Sequence, residues 1–164
     1  MIIRKMAEED IARVAEITGI IMNDAWERYE KGYYPRKAVD FDISSHSKEH
    51  TAESLGSDDD LSLVAEDEGR VVGVVSGRLI GVSGLARLGW LGVLPEFQGR
   101  GIGRELLERA IEECRERGCH KITLYTLPVL MPAVNLYMRV GFVPESYLRR
   151  EWWEVDFLKM SIWL

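Results

Sequence analysis

One stretch restricts the architecture of this chain more than any other. Leu88 to Leu94 is an apolar run that leads into Pro95-Glu96-Phe97-Gln98-Gly99-Arg100-Gly101-Ile102-Gly103-Arg104, with glycine at alternate positions. From Glu105 to Arg117 the apolar residues Leu106, Leu107, Ala110, Ile111 and Cys114 recur at helical spacing, and Gly118 closes the segment. Lys121 to Leu127 reads as a strand stopped by Pro128. Strand, helix and strand joined this tightly form a crossover, so 87–94 and 121–127 are expected to be parallel neighbours. The glycines let several N–H groups turn toward one point, and a helix start adds partial positive charge. Such a place suits an anion, most often a phosphate.

Two common phosphate motifs fail on these residues. A dinucleotide fingerprint needs glycine at 99, 101 and 104, and position 104 is Arg. The Gly-Lys-Ser/Thr of a Walker loop is absent. The chain of 164 residues reads as a single domain, 1–164, and at 46% hydrophobic it can build a core. Its net charge of −6 argues against nucleic-acid binding and weakly favours a cationic substrate. No run nears the roughly eighteen apolar residues of a membrane span, so no membrane association is expected. Met1 to Lys5 lacks the apolar core of a signal peptide. Cys114 and Cys119 form no Cys-x-x-Cys pair, and a reducing cytoplasm is the expected setting.

The remaining elements follow in order. Met1 to Met6 is a short strand. Ile11, Val14, Ala15, Thr18, Ile21 and Met22 form the buried stripe of a first helix. Trp26, Tyr29, Tyr33 and Tyr34 continue into a second helix broken near Gly32 and Pro35. These rings either line a pocket or pack the helix onto the sheet. Ser44 to Asp60 is expected to be a helix followed by a polar loop. Leu61–Glu66 and Arg70–Ile80 are strands joined by the Asp67-Glu68-Gly69 turn, with Gly73 and Gly77 marking bends or close backbone approach. A loop spans 82–86. Pro132 to Val140 is a helix ended by Gly141, and two strands follow from Phe142. Glu105–Arg109 and Glu113–Arg117 are expected as pairs on the exposed face of their helix. The whole reads as a mixed α/β protein with a mostly antiparallel sheet.

With these motifs in place, the chain resembles the Gcn5-related N-acetyltransferase (GNAT) superfamily. Val93-x-Pro95 followed by Gln98-x-x-Gly101-x-Gly103 is similar to that family's pyrophosphate loop. Ala133-Val134-Asn135-Leu136-Tyr137-Met138-Arg139-Val140-Gly141-Phe142 meets its Ala-x-x-hydrophobic-Tyr-x-x-x-Gly-Phe pattern. The resemblance covers the chain in element order and is motif-specific over about 88–142. It implies the acyl-CoA acyltransferase fold, in which the central parallel pair splays. It also implies acetyl-CoA as cosubstrate, with no metal, and direct attack by a primary amine in a ternary complex. The acceptor would be a small-molecule amine, a peptide or a protein, and family members often dimerise. Leu91, Gly92 and Val93 would hold the pantetheine arm and the oxyanion. Gln98, Gly99, Arg100, Gly101, Ile102, Gly103 and Arg104 would hold the pyrophosphate. Tyr137 would be the general acid toward the CoA thiolate. Where the family often has Asn, seven residues before the tyrosine, this chain has Leu130.

Other readings remain open at this point. Many members carry a Glu in the strand before the loop, but Ala86 to Val93 contains no carboxylate. Glu66, Asp67, Glu154 and Asp156 are left as bases acting through water, or the amine arrives neutral. The missing carboxylate also allows a non-catalytic acyl-CoA-binding module on the same fold. His46-Ser47-Lys48-Glu49-His50 fits the inverted zinc-peptidase pattern, but no third ligand or apolar wall accompanies it. Trp152, Trp153 and Trp163 cover either a partner or only the core.

Overall fold

In a computed structural model describing residues 1–164, Glu68 and Gly69 both take positive φ, 48° and 76°. Two consecutive positive-φ residues make the tight turn that suits a twisted hairpin. It joins β2 (Asp60–Asp67) to β3 (Arg70–Leu79). β1 (Ile2–Lys5) adds antiparallel to β2, and β4 (Leu85–Val93) adds antiparallel to β3. β5 (Lys121–Thr126) lies parallel to β4, as the crossover requires. β7 (Phe157–Trp163) pairs antiparallel with β5, and β6 (Val143–Leu148) forms the far edge on β7. The sheet order is therefore β1-β2-β3-β4-β5-β7-β6.

The two faces of this sheet carry different helices. α1 (Ile11–Ala25), α2 (Arg36–Ser45) and α3 (Lys48–Ser54) belong to one face. α4 (Ile102–Glu116) and α5 (Met131–Val140) belong to the other. Adjacent strand positions show the division, since neighbouring residues point to opposite faces. A Cβ on Gly92 would meet Ile21 of α1 at 3.1 Å, whereas one on Gly73, opposite Val93, would meet Leu106 of α4 at 3.2 Å. Val64, Val72, Leu106, Leu107 and Ile122 are fully sequestered between the layers. A smaller apolar cluster, including Tyr34, Val39, Leu127 and Phe157, fills the ground beneath α2.

Several boundaries differ from the sequence reading. α1 ends in a π-type turn over Trp26–Glu30, where Lys31 N–H reaches the Trp26 carbonyl at 2.8 Å. Pro35 precedes α2 rather than breaking it, because proline lacks only an N–H that a helix start leaves free. The Ser44–Asp60 segment holds the end of α2 and all of α3. His46 leaves helical geometry, and the Ser47 hydroxyl caps α3 by accepting from His50 N–H. The aromatic rings pack. Tyr34 meets Phe157 edge-on at 6.1 Å, and Trp26 Nε1 donates to the Tyr34 carbonyl at 2.8 Å. Glu113 is buried rather than surface-facing, reaching Lys5 at 3.2 Å and Arg117 at 3.6 Å. Trp152 packs edge-on against Tyr125 and Phe157, and Trp153 against Phe41. No helix is long and apolar enough to cross a membrane.

Candidate active site

β4 and β5 are joined by only three residue pairs, Leu85–Lys121, Ala86–Ile122 and Arg87–Thr123. Beyond Arg87 both strands continue, but with other partners. Leu91, Gly92 and Val93 stay paired to Val75, Val74 and Gly73 of β3, and β5 stays paired to β7. The sheet thus parts between its two parallel strands, leaving the β5-facing side of Leu88–Val93 without a strand. Gly89 contributes to this shape. The register slips between Ser76–Trp90 and Gly77–Leu88, so Gly89 is one residue extra on β4. Such a bulge bends and twists its strand.

The glycine turn sits where β4 ends. Gly99 and Gly101 have φ of 76° and 85°, a left-handed region open to glycine at little cost. Gly101 is the residue before α4, and its carbonyl accepts the first helical bond from Glu105 N–H at 3.0 Å. The N–H groups of Gly99, Arg100, Gly101, Ile102, Gly103 and Arg104 meet no acceptor in the protein, backbone or side chain. Six consecutive free donors at a helix N-terminus form an anion nest. Gln98 has a different role. Its N–H donates to Pro95 O at 3.2 Å, and its Nε2 donates to Val93 O at 3.0 Å. It clasps the turn to the strand and offers no free backbone donor. The Arg104 guanidinium pairs with Glu108 at 2.8 Å, and Arg100 lies over the Phe97 ring at 4.9 Å.

Tyr137 lies in α5, which leans on the start of α4. A Cβ on Gly103 would touch Leu136 at 3.4 Å and Val93 at 3.7 Å. The Tyr137 ring is buried against Phe142, with centroids 5.9 Å apart. Its hydroxyl has no protein hydrogen-bond partner, and burial pushes its pKa up to about 12. The phenol therefore stays protonated across ordinary pH, as a proton donor must. Leu130 stands at the residue before α5, while Asn135 faces solvent.

The fold and these two motif sites can now be compared with known proteins. A model of the acetyltransferase (GNAT) family matches residues 19–142. The chain belongs to the GNAT family. Among solved structures, this GNAT chain is similar to PaiA N-acetyltransferase from Thermoplasma acidophilum in complex with coenzyme A, with TM-score 0.80, 22% identity and 96% of each chain covered. It is also similar to ribosomal-protein-alanine N-acetyltransferase from Brucella melitensis, with TM-score 0.77, 27% identity and 100% of each chain covered. A third neighbour is yncA from Salmonella typhimurium, solved with its cofactor acetyl-CoA, with TM-score 0.71 and 22% identity. That likeness covers 100% of the GNAT chain and 94% of yncA.

The sequence pointed to carboxylates that the GNAT fold puts to other uses. Glu66 pairs with Arg4 at 2.8 Å, and Asp67 lies 3.6 Å from the N-terminal amine, both two strands away from β4. Glu154 pairs with Arg150 at 2.7 Å. Asp156 accepts from Arg150 N–H and the Tyr147 hydroxyl, which hold its pKa below the usual range. Two acids, buried Glu30 and half-buried Asp42, escaped sequence reasoning. Glu30, in the π-type turn, has a pKa pushed up to about 7 by burial, with Asp42 nearby adding to the shift. Burial also raises Asp42, although the Tyr34 hydroxyl donates to it at 2.8 Å. The only advance signal was a helical spacing that turns Glu30 inward with Trp26 and Tyr34.

His46 and His50 do not share one helix. His46 Nδ1 lies 2.8 Å from the Asp42 carbonyl, and His50 Nδ1 lies 3.1 Å from the Ser47 hydroxyl. No three His, Cys, Asp or Glu groups converge as a metal-holding set. The His46 ring instead approaches Trp90 of β4, with centroids 5.8 Å apart.

Proposed function

We propose that this protein moves the acetyl group from acetyl-CoA to a primary amine by direct attack within a ternary complex. The observation that carries the reading is the free amide nest of Gly99–Arg104 at the mouth of the parted β4–β5 pair. A diphosphate matches the nest, and an extended amide-bearing arm matches the open backbone edge of Leu91, Gly92 and Val93. Gln98 keeps the nest docked to that edge. The neighbours solved with coenzyme A or acetyl-CoA support the same ligand. The ribosomal-protein-alanine enzyme modifies a protein, which keeps peptide and protein acceptors beside small amines in the proposal. Two free, buried cysteines suit a reducing cytoplasm.

The chemistry has three needs, each assigned to groups of this chain. A neutral amine nitrogen attacks the thioester carbon, and β4 amides facing the gap stabilise the oxyanion. When the carbon–sulfur bond breaks, the Tyr137 hydroxyl gives its proton to the sulfur. The proton lost by the attacking nitrogen is relayed through water to the Tyr137 phenolate and restores the phenol.

Calorimetry and thiol release test this together. Acetyl-CoA should bind the wild-type protein, and Gly101→Glu should abolish binding, because a carboxylate then meets the diphosphate on a backbone that disfavours any side chain. Tyr137→Phe should bind normally yet lose on the order of 10²–10⁴-fold in turnover, evenly from pH 6 to 10. Equal turnover in that variant retires the acid role. A second reading, an acyl-CoA-binding module without catalysis, is favoured by the absence of a carboxylate on β4; tight binding with no thiol release for any amine would select it.

A further inference from the structure

A second cavity lies on the opposite side of the sheet from α4, beside the apex where β4 and β5 part. It is a cleft of about 240 Å³ between α1, the α2–α3 turn and strands β3 and β4. Its rim carries Arg78 and Arg87, both exposed, which face each other directly across β3 and β4. Like charges placed opposite one another in a sheet are destabilising. Neither guanidinium has an ion pair or a hydrogen bond in the protein. Arg87 only overlies the Tyr125 ring, at 5.3 Å. Asp60, across from Arg78 on β2, turns its carboxylate to the Ser62 hydroxyl and the Gly56 N–H.

The walls add no opposing charge. His46 and His50 line the cleft, and no Asp or Glu does. Two orphaned polar atoms belong to its lining residues. Thr18 is 1% exposed and its Oγ1 has no partner, and Trp90 Nε1 is sealed from solvent without an acceptor. Both atoms are sealed beneath the cleft's surface, so a ligand in its open space does not reach them. The bulge at Gly89 makes the arrangement possible. Strict alternation from Trp90 would carry Leu88 toward α1 and send Arg87 to the α4 face. The extra residue resets the alternation and delivers Arg87 to the cleft. Arg87 is also the last β4 residue still paired to β5, so the cleft borders the start of the gap.

We infer that this cleft selects the acceptor, and that the acceptor is a small amine carrying a carboxylate, of the free amino-acid class. This rests on the acetyl-transfer reading above. Arg78 and Arg87 hold the carboxylate as a two-pronged clamp, and the amine is left toward the parted strands. A polycationic acceptor would meet two arginines and no acid, despite the net charge of −6. The volume falls below the range of about 300–1,000 Å³ usual for drug-sized ligands, consistent with a small molecule.

The experiment uses the intact protein and reads three quantities. Calorimetric acetyl-CoA binding reports on the transferase proposal alone. Thiol release is then compared for the common L-amino acids and their carboxamides, which match in everything but the charge. The expected result is at least a tenfold preference in kcat/KM for one or more acids over their amides. Arg78→Gln and Arg87→Gln should each raise KM for the preferred acid at least tenfold, with KM for acetyl-CoA changed less than twofold. Melting temperature is the readout independent of activity. Either variant should melt no lower than wild type, and the preferred amino acid should raise the melting temperature of wild type but of neither variant. Equal or better use of the amides, or of alanine-initiated peptides lacking a nearby carboxylate, overturns the inference while leaving acetyl transfer intact. Acetyl-CoA binding with no amino acid raising the melting temperature also overturns it. Absence of acetyl-CoA binding ends the transferase reading instead, and the clamp is then judged on the melting shift alone.

Discussion

At the scale of single residues, burial has set the chemistry of two groups that look ordinary in the sequence. The Tyr137 phenol is held neutral by its apolar surroundings, whereas Glu30 is a carboxyl moved toward neutrality by the same cause. The sign of the Glu30 effect on stability is definite. Between about pH 4.5 and 7 the folded state keeps a proton that the unfolded chain has released, so stability falls as pH rises through that window and is level above it. Glu30→Gln, which cannot ionise, should be more stable than wild type by roughly 1–3 kcal/mol at pH 8 and nearly equal to it at pH 4. Denaturant melts at the two pH values check this. A constant difference would mean that Glu30 is paired in a way its surroundings do not show. In the sequence only its helical spacing from Trp26 and Tyr34 sets Glu30 apart from the exposed Glu27 one turn earlier, because the burial itself comes from α2 and Asp42 folding over it.

At the scale of elements, legibility followed locality. The β4–turn–α4 unit was readable because each step depends on adjacent residues: glycines for positive φ, a proline before the turn, and a helical stripe after it. The Tyr137 motif was readable for the same reason, since Tyr137, Gly141 and Phe142 are linked within one helix end. The acceptor side was not. Which face Arg87 takes depends on a one-residue slip against β3, and periodicity cannot reveal a slip whose partner strand is unknown. Gly77 is the counterpart of that slip. A Cβ there would stand 2.5 Å from the Arg87 carbonyl, closer than atoms can approach. Gly77→Ala should therefore cost about 2 kcal/mol or more and disturb the bulge. Amide exchange of β3 and β4 measures the disturbance. Unchanged exchange with unchanged stability would show that the strand pair can yield.

At the scale of the whole molecule, the mixed order and single parallel pair were foreseeable from one crossover, but the division of helices between faces was not. It required knowing that Gly92 and Gly73 point to opposite sides of the sheet. The division places the free-amide turn at Gly99–Arg104 and the arginine cleft on different sides of the same parted strands. On the acetyl-transfer reading, a bound coenzyme arm would replace missing backbone partners along Leu88–Val93, so coenzyme A should slow amide exchange on both β4 and β5 well beyond the glycine turn. Protection confined to Gly99–Arg104 would mean that the arm does not enter the gap.

The three rungs between Leu85–Arg87 and Lys121–Thr123 have a mechanical consequence. With the bond from His120 N–H to the Gly84 carbonyl at 2.8 Å, they are the backbone seam stitching the four strands on one side to the three on the other. A seam this short works as a hinge, and a molecule slipped into the gap is a shim that fixes its angle. Arg78 and Arg87 stand together on paired β3 and β4, on one side of that seam, so its angle leaves the clamp's two prongs at one separation. On the acetyl-transfer reading, filling the gap would therefore shift β5 against the clamp as a unit, not one arginine against the other.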